Sequence, residues 1–173
     1  MSEQDPRFPI GRFHRPATRL DAAVRASLID EIEGLPTRLR ALVQDLSDAQ
    51  LDTSYRPGGW TVRQVVHHLP DSHMNAYVRF KMAITEDGPA IRPYLEARWA
   101  ELPEARTAPV HISLDLLDAL HRRWTLSLRN MSDIEWQRIY VHPEMGAFPL
   151  DAALALYAWH GAHHTAHVRQ APR

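Results

Sequence analysis

Near the C-terminus, four histidines fall within eight residues: His160, His163, His164 and His167. On an α-helix, at about 100° per residue, Ala153, Tyr157, His160, His164 and His167 share one face, with His163 turned about 60° from His160. Imidazoles one turn apart can hold one metal ion together, as the two histidines of the HExxH helix do. Here Gly161 follows His160 where that motif carries glutamate, so its general base is missing and a zincin reading is rejected. Two ligands do not make a site, because a catalytic zinc-type centre usually has three protein ligands and an open position. A third can come from His67 or His68. Around the helix that would carry them, Gln64, Ser72, Asn75 and Arg79 line up with His68 within about 40°. A polar line on a helix otherwise built for burial suits the wall of an internal polar cavity. His67 points about 100° away, which favours His68 without deciding between them.

The other histidines have plainer readings. His14, His111 and His142 fall in loops and are expected to be exposed, and His73 has no matching partner in the pattern. His121 lies on the apolar face of its helix; it is a core histidine or one that holds a ligand or a water from behind. Even the His160–His164 pair has an ordinary alternative as a solvated pair on a surface helix.

Composition narrows the chemistry further. The chain has 173 residues, 11 histidines and no cysteine. That excludes disulfides, thiolate metal sites and a cysteine nucleophile. Lys+Arg number 20 against Asp+Glu 21, which argues against a protein built to grip nucleic acid or an anionic membrane. No segment has the apolar core of a signal peptide, and the longest wholly apolar run, AALALYAW (152–159), is far short of the roughly 18 residues of a spanning helix. The expectation is a cytoplasmic chain.

The elements that must position these residues are helical. Residues 1–19, with Pro6, Pro9 and Pro16, are expected to form an extended arm, and 20–173 a single domain. Val24, Leu28, Ile32, Leu35, Leu39, Leu42 and Leu46 step at helical spacing, with Pro36 predicting a kink or short break near Gly34–Leu35. Ser47 with Gln50 caps a short turn, and Thr61 with Gln64 opens a long helix to about Thr85, with Pro70 predicting a kink after His68. The proline-rich stretch 86–112 is a long loop with a short helix around Tyr94–Leu102. Ser113 caps a third helix carrying Leu114, Leu117, Leu120, Trp124, Leu128 and Met131, and Ser132 with Glu135 caps another turn. Residues 138–149 read as a small hairpin turning at Pro143–Gly146, before a last helix from Leu150. The fold class is therefore all-α, a four-helix bundle with short extra helical turns and a long crossover connection, for which the third connection has the length.

These motifs together resemble a known family. GGWTVRQVVHHLPDSHMNAYVRFK (58–81), YAWHGAHHTAHV (157–168), FPIGRF (8–13), AIRPY (90–94) and LHRRW (120–124) are similar, in the same order, to the DinB-like superfamily of metal-binding four-helix bundles, and most of all to its YfiT branch of metal-dependent hydrolases. The resemblance implies one metal held by the histidine of the HL dipeptide and by two histidines four apart on the last helix, here His68, His160 and His164. Two departures are Pro70, where a small helix former is expected, and the short tail after His167.

Three neutral imidazoles leave the full charge on a divalent ion, which can then acidify water, polarise a carbonyl or bind a thiolate. The expected cofactor is one divalent metal ion per chain, zinc first, with nickel or iron acceptable to the same ligands. The resemblance implies a hydrolase that activates water. Its alternative is an S-transferase joining a low-molecular-weight thiol to an electrophile. A non-enzymatic metal- or ligand-binding bundle is the third reading, favoured if His167 or His121 closes the fourth position. Pocket candidates are Ser72, Asn75, Arg79, Tyr157 and, from the long loop, Arg92, while no acidic residue stands out as general base. The expected partners are a small-molecule substrate, which includes thiols, and a second copy of the chain in a homodimer.

Overall fold

The computed structural model describes residues 5–172. Residues 1–4 of the expected arm lie outside it, and 5–20 form turns and extended chain without helix or strand. Four long helices follow: α1 (Ala22–Val43), α3 (Val62–Thr85), α6 (Val110–Arg129) and α7 (Leu150–Gln170). Short helices α2 (Asp48–Leu51), α4 (Glu96–Trp99) and α5 (Pro103–Thr107) lie in the connections. A 3₁₀ turn (Glu135–Gln137) precedes the antiparallel hairpin of β1 (Ile139–His142) and β2 (Gly146–Pro149).

Local chemistry sets most boundaries. The Ser47–Gln50 and Thr61–Gln64 pairs both form reciprocal capping boxes, satisfying two orphan donors each. At the head of α1, the Asp21 carboxylate accepts from the Val24 backbone N–H at 2.8 Å. Two expectations need correction. Helix α6 starts at Val110, directly after Pro109, and Ser113 spends its hydroxyl on the His67 ring at 2.7 Å instead of on a cap. The inward stripe of α1 begins at Arg25 and Ile29, leaving Val24 exposed, because the Arg25 guanidinium must face Asp151 on α7 at 2.8 Å. At the internal prolines no break occurs: α1 is continuous through Pro36 and α3 through Pro70.

Contacts between named residues fix the topology. Helices α1 and α3 sit at opposite corners, and each packs on both α6 and α7. Along α1 and α7 the paired positions rise together, from Arg25–Asp151 to Leu35–Gly161, so these helices are parallel. The same holds for α3 and α6, from His67–Ser113 through His73–His121 to Phe80–Trp124. The two parallel pairs run against each other, as Arg40–Asp115 and Ile32–His121 show for α1 on α6. A parallel α3–α6 pair forces the chain to travel back about 36 Å, the length of α3. The end-to-end crossover is therefore residues 86–109, the second connection and not the third, and it carries α4 and α5.

The apolar core is in two parts. One joins Ile29 and Ile32 of α1, Phe80 of α3, Trp124 and Leu128 of α6, and Leu150, Leu154 and Tyr157 of α7. The other joins Leu35, Leu39 and Val43 to Val62, Val65, Val66, Leu69, Leu114, Leu117 and Val168. Between them lies a layer of imidazoles: His68 and His73 of α3, His121 of α6 and His164 of α7, all buried, and the partly buried His160 of α7.

Candidate metal centre

Because α3 and α7 are antiparallel, the N-terminal half of one meets the C-terminal half of the other. His68 then faces His160 and His164. The Nε2 atoms of His68 and His160 are 3.2 Å apart, and one ring nitrogen from each of the three histidines falls within 4.8 Å of the others. Nitrogens about 2.05 Å from a tetrahedral ion stand about 3.4 Å apart, so the spacing suits one ion. Burial also suits it. Desolvation holds His160 and His164 well below the usual imidazole range and lowers His68 to about 4, so all three are neutral with a lone pair to donate. His67 turns elsewhere: its Nε2 meets the Ala108 carbonyl at 3.1 Å and its Nδ1 the Ser113 hydroxyl.

Behind His160 runs a chain of imidazoles whose direction is fixed at one end. Pro36 has no N–H to give the carbonyl of Ile32, four residues back in α1. That carbonyl instead meets Nδ1 of His121 at 2.6 Å. A carbonyl only accepts, so His121 carries its proton on Nδ1 and presents a lone pair at Nε2. Nδ1–H of His73 donates to that lone pair at 2.8 Å, leaving Nε2 of His73 to accept from Nδ1–H of His160 at 3.1 Å. The result is a His160 whose Nε2 is unprotonated and aimed at His68. His73, expected to lack a partner, is the middle of this line and fully buried. His121 belongs to the same line and so lies behind the cluster. His167 lies beside it, its Nδ1 3.4 Å from Nδ1 of His164, with Tyr55 stacked on its ring at 4.0 Å.

The cluster opens into a cavity of about 570 Å³. Ser72, Arg79 and Tyr157 line it, as do Trp60, Tyr94, Glu96, His142 and Glu144. Trp60 lies over the cluster, its ring 4.8 Å from that of His68. Asn75 and Arg92 do not line the cavity. The Asn75 amide bonds back to the Asp71 carbonyl at 2.9 Å in its own helix, and Arg92 is exposed while its neighbours Pro93 and Tyr94 face in. His142 is a further correction: it sits at the end of β1, buried, with its Nδ1 accepting from the backbone N–H of Glu144 at 3.1 Å. Alternation in the hairpin, which turns Tyr140 and His142 inward, is the signal that could have found it. Trp60 was legible as the residue that ends the YRPGG loop just before the α3 cap.

Comparison with known proteins gives consistent results. The sequence matches the DinB superfamily over residues 31–168. A Bacillus mycoides protein provisionally named a metal-dependent hydrolase is 51% identical over 165 residues, covering 95% of this chain and 94% of its own. A Bacillus cereus protein of the same provisional name is 51% identical over 166 residues, with the same coverage. The solved structure of YfiT from Bacillus subtilis, described as a probable metal-dependent hydrolase with an unusual four-helix bundle topology, superposes with a TM-score of 0.92 at 46% identity, covering 95% of this chain and 94% of that one. A mycothiol-dependent maleylpyruvate isomerase shares the fold at a TM-score of 0.62 and 20% identity, over 83% of this chain and 60% of that one.

Proposed function

The chain belongs to the DinB superfamily, and from that membership and its three converging imidazoles we propose that it is a metal-dependent hydrolase. The observation that carries the reading is the arrangement of His68, His160 and His164: neutral, within 4.8 Å of one another, and on the wall of a cavity large enough for a small molecule. These three would hold one divalent ion. Such an ion would supply a Lewis acid that brings the pKa of water toward neutrality and polarises a carbonyl.

The remaining roles fall to the chain's own groups. His73 and His121 hold His160 in the tautomer that donates from Nε2. Trp60 covers His68 and keeps bulk water from that side. Arg79 and Tyr157 share a hydrogen bond of 3.1 Å and orient the far end of the substrate. Glu96 and Glu144 are the carboxylates on the cavity wall, available to accept or return a proton at its mouth.

Protein purified without a polyhistidine tag should carry about one divalent ion per chain, measured by elemental analysis. His68→Ala and His164→Ala should lose it. Equal metal content in parent and variants would remove these residues from the site. The same preparations assayed on small esters and amides, and in parallel for conjugation of small thiols to an electrophile, separate hydrolysis from sulfur transfer. Turnover confined to the thiol panel would replace the hydrolase reading with the transferase one. Because the chain has no cysteine, any sulfur in that reaction comes from the substrates.

A further inference from the structure

Arg79 is a buried cation without a counter-charge. Its residue is 9% exposed, yet among the described residues no carboxylate lies within ion-pair distance of it. The other two buried arginines behave differently: Arg25 pairs with Asp133 and Asp151, and Arg63 with Asp48 and Asp52. Buried charges are ordinarily paired, because an uncompensated one is costly. Of the five N–H donors of the Arg79 guanidinium, one is satisfied among the described residues, by the Tyr157 hydroxyl. Both residues line the cavity that the histidine cluster opens into.

A second donor faces the same cavity. The backbone N–H groups of Glu144 and Met145 both point at Nδ1 of His142, at 3.1 and 3.4 Å, which makes Nδ1 the acceptor. The neutral ring must then carry its proton on Nε2, and Nε2 has no hydrogen-bond partner among the described residues. Burial and the nearby Arg79 charge both lower the His142 pKa, which keeps this tautomer neutral near pH 7.

We propose that Arg79, with His142 and Tyr157, forms an anion subsite that binds a single carboxylate of the substrate. This rests on the reading of the cavity as an active site. One guanidinium balances one negative charge, and Glu96 and Glu144 on the same wall disfavour a second. Arg79 lies eleven positions beyond His68 on α3, roughly 16 Å along the axis, and its side chain leans back toward the helix N-terminus. The carboxylate is therefore held on the order of 10 Å from the histidine cluster, so the substrate carries a spacer of a few atoms between its anionic and reacting groups.

The test uses the intact metal-free chain and three probes at constant ionic strength: sodium butyrate, neutral butyramide and inorganic phosphate. The readout is the Arg79 side-chain Nε–H resonance, identified by its loss in Arg79→Gln. Butyrate should shift it saturably, with butyramide weaker by about tenfold or more, as expected when a charge-assisted pair is lost. Butyrate binding, followed by its own line broadening, should vanish in Arg79→Gln and survive in part in Arg79→Lys. Equal binding of butyrate and butyramide, no binding of either, or unchanged binding by Arg79→Gln would overturn the subsite. Phosphate tighter than butyrate would overturn the assignment to a carboxylate. Zinc titration of the same samples keeps the two readings apart. Loss of zinc binding with butyrate binding intact removes the metal site alone, and the reverse removes the anion subsite alone.

Discussion

Replacing His73 asks whether the line from the Ile32 carbonyl to His160 matters to the metal. Partners that orient a ligand from behind typically contribute 10- to 100-fold to metal affinity, by rough precedent. His73→Ala should weaken zinc binding by about that factor, whereas loss of a ligand should abolish it. His73→Gln keeps an acceptor near Nδ1 of His160 and should recover part of the loss. The check is a competition titration with a chromophoric chelator; parent-like affinity in His73→Ala would show that the line is packing only. At this scale the sequence was half legible. The His160–His164 spacing could be seen, because a helix repeats every turn. His73 could not, because its partners come from α6 and α7 and no spacing within α3 announces them.

Among the elements, α7 is the one whose placement is most exacting. A Cβ added at Gly161 would stand 2.6 Å from Cδ2 of Leu35, so α7 approaches α1 closely just beside His160. Alanine is the better helix former by about 1 kcal/mol, yet overpacking a buried contact costs about 1–3 kcal/mol. Gly161→Ala should therefore lower stability by up to about 2 kcal/mol, read from denaturant midpoints, and weaken zinc binding by moving His160. A stabilised variant would mean that Leu35 yields freely. The reading of Gly161 from sequence stopped at a missing glutamate. The capping boxes at Ser47 and Thr61 were legible because each is complete within four residues. The start of α6 was misplaced because Ser113 answers to His67, a residue on another helix.

For the molecule as a whole, the imidazole layer makes stability depend on acidity. In metal-free protein His121 and His68 are held neutral, with pKa values lowered to about 4 by burial, against about 6.5 when unfolded. Above pH 6.5 neither state is protonated and the stability is fully present. Between pH 6.5 and 4 the unfolded chain binds protons that the folded one refuses, so each group removes about 1.4 kcal/mol per pH unit. Urea midpoints of the metal-free chain should fall steadily over that window and stay flat between pH 7 and 8; a flat profile down to pH 5 would mean these rings are not shielded as the structure has them. The bundle class was readable from four helical stripes. The order of helices around it was not, since a stripe says that a face is buried and not against what.

Placing α7 between α1 and α3 has a consequence for how the chain is made. Synthesis delivers α1 first, but its parallel neighbour α7 is the fourth of the long helices in chain order. Until then α1 and α3 share α6 as their main long-helix neighbour, and two of the three clustered histidines do not yet exist as part of a fold. The apolar faces of α1 and α3 stay partly open until α7 arrives, so neither half of the core can close before it does and both complete together.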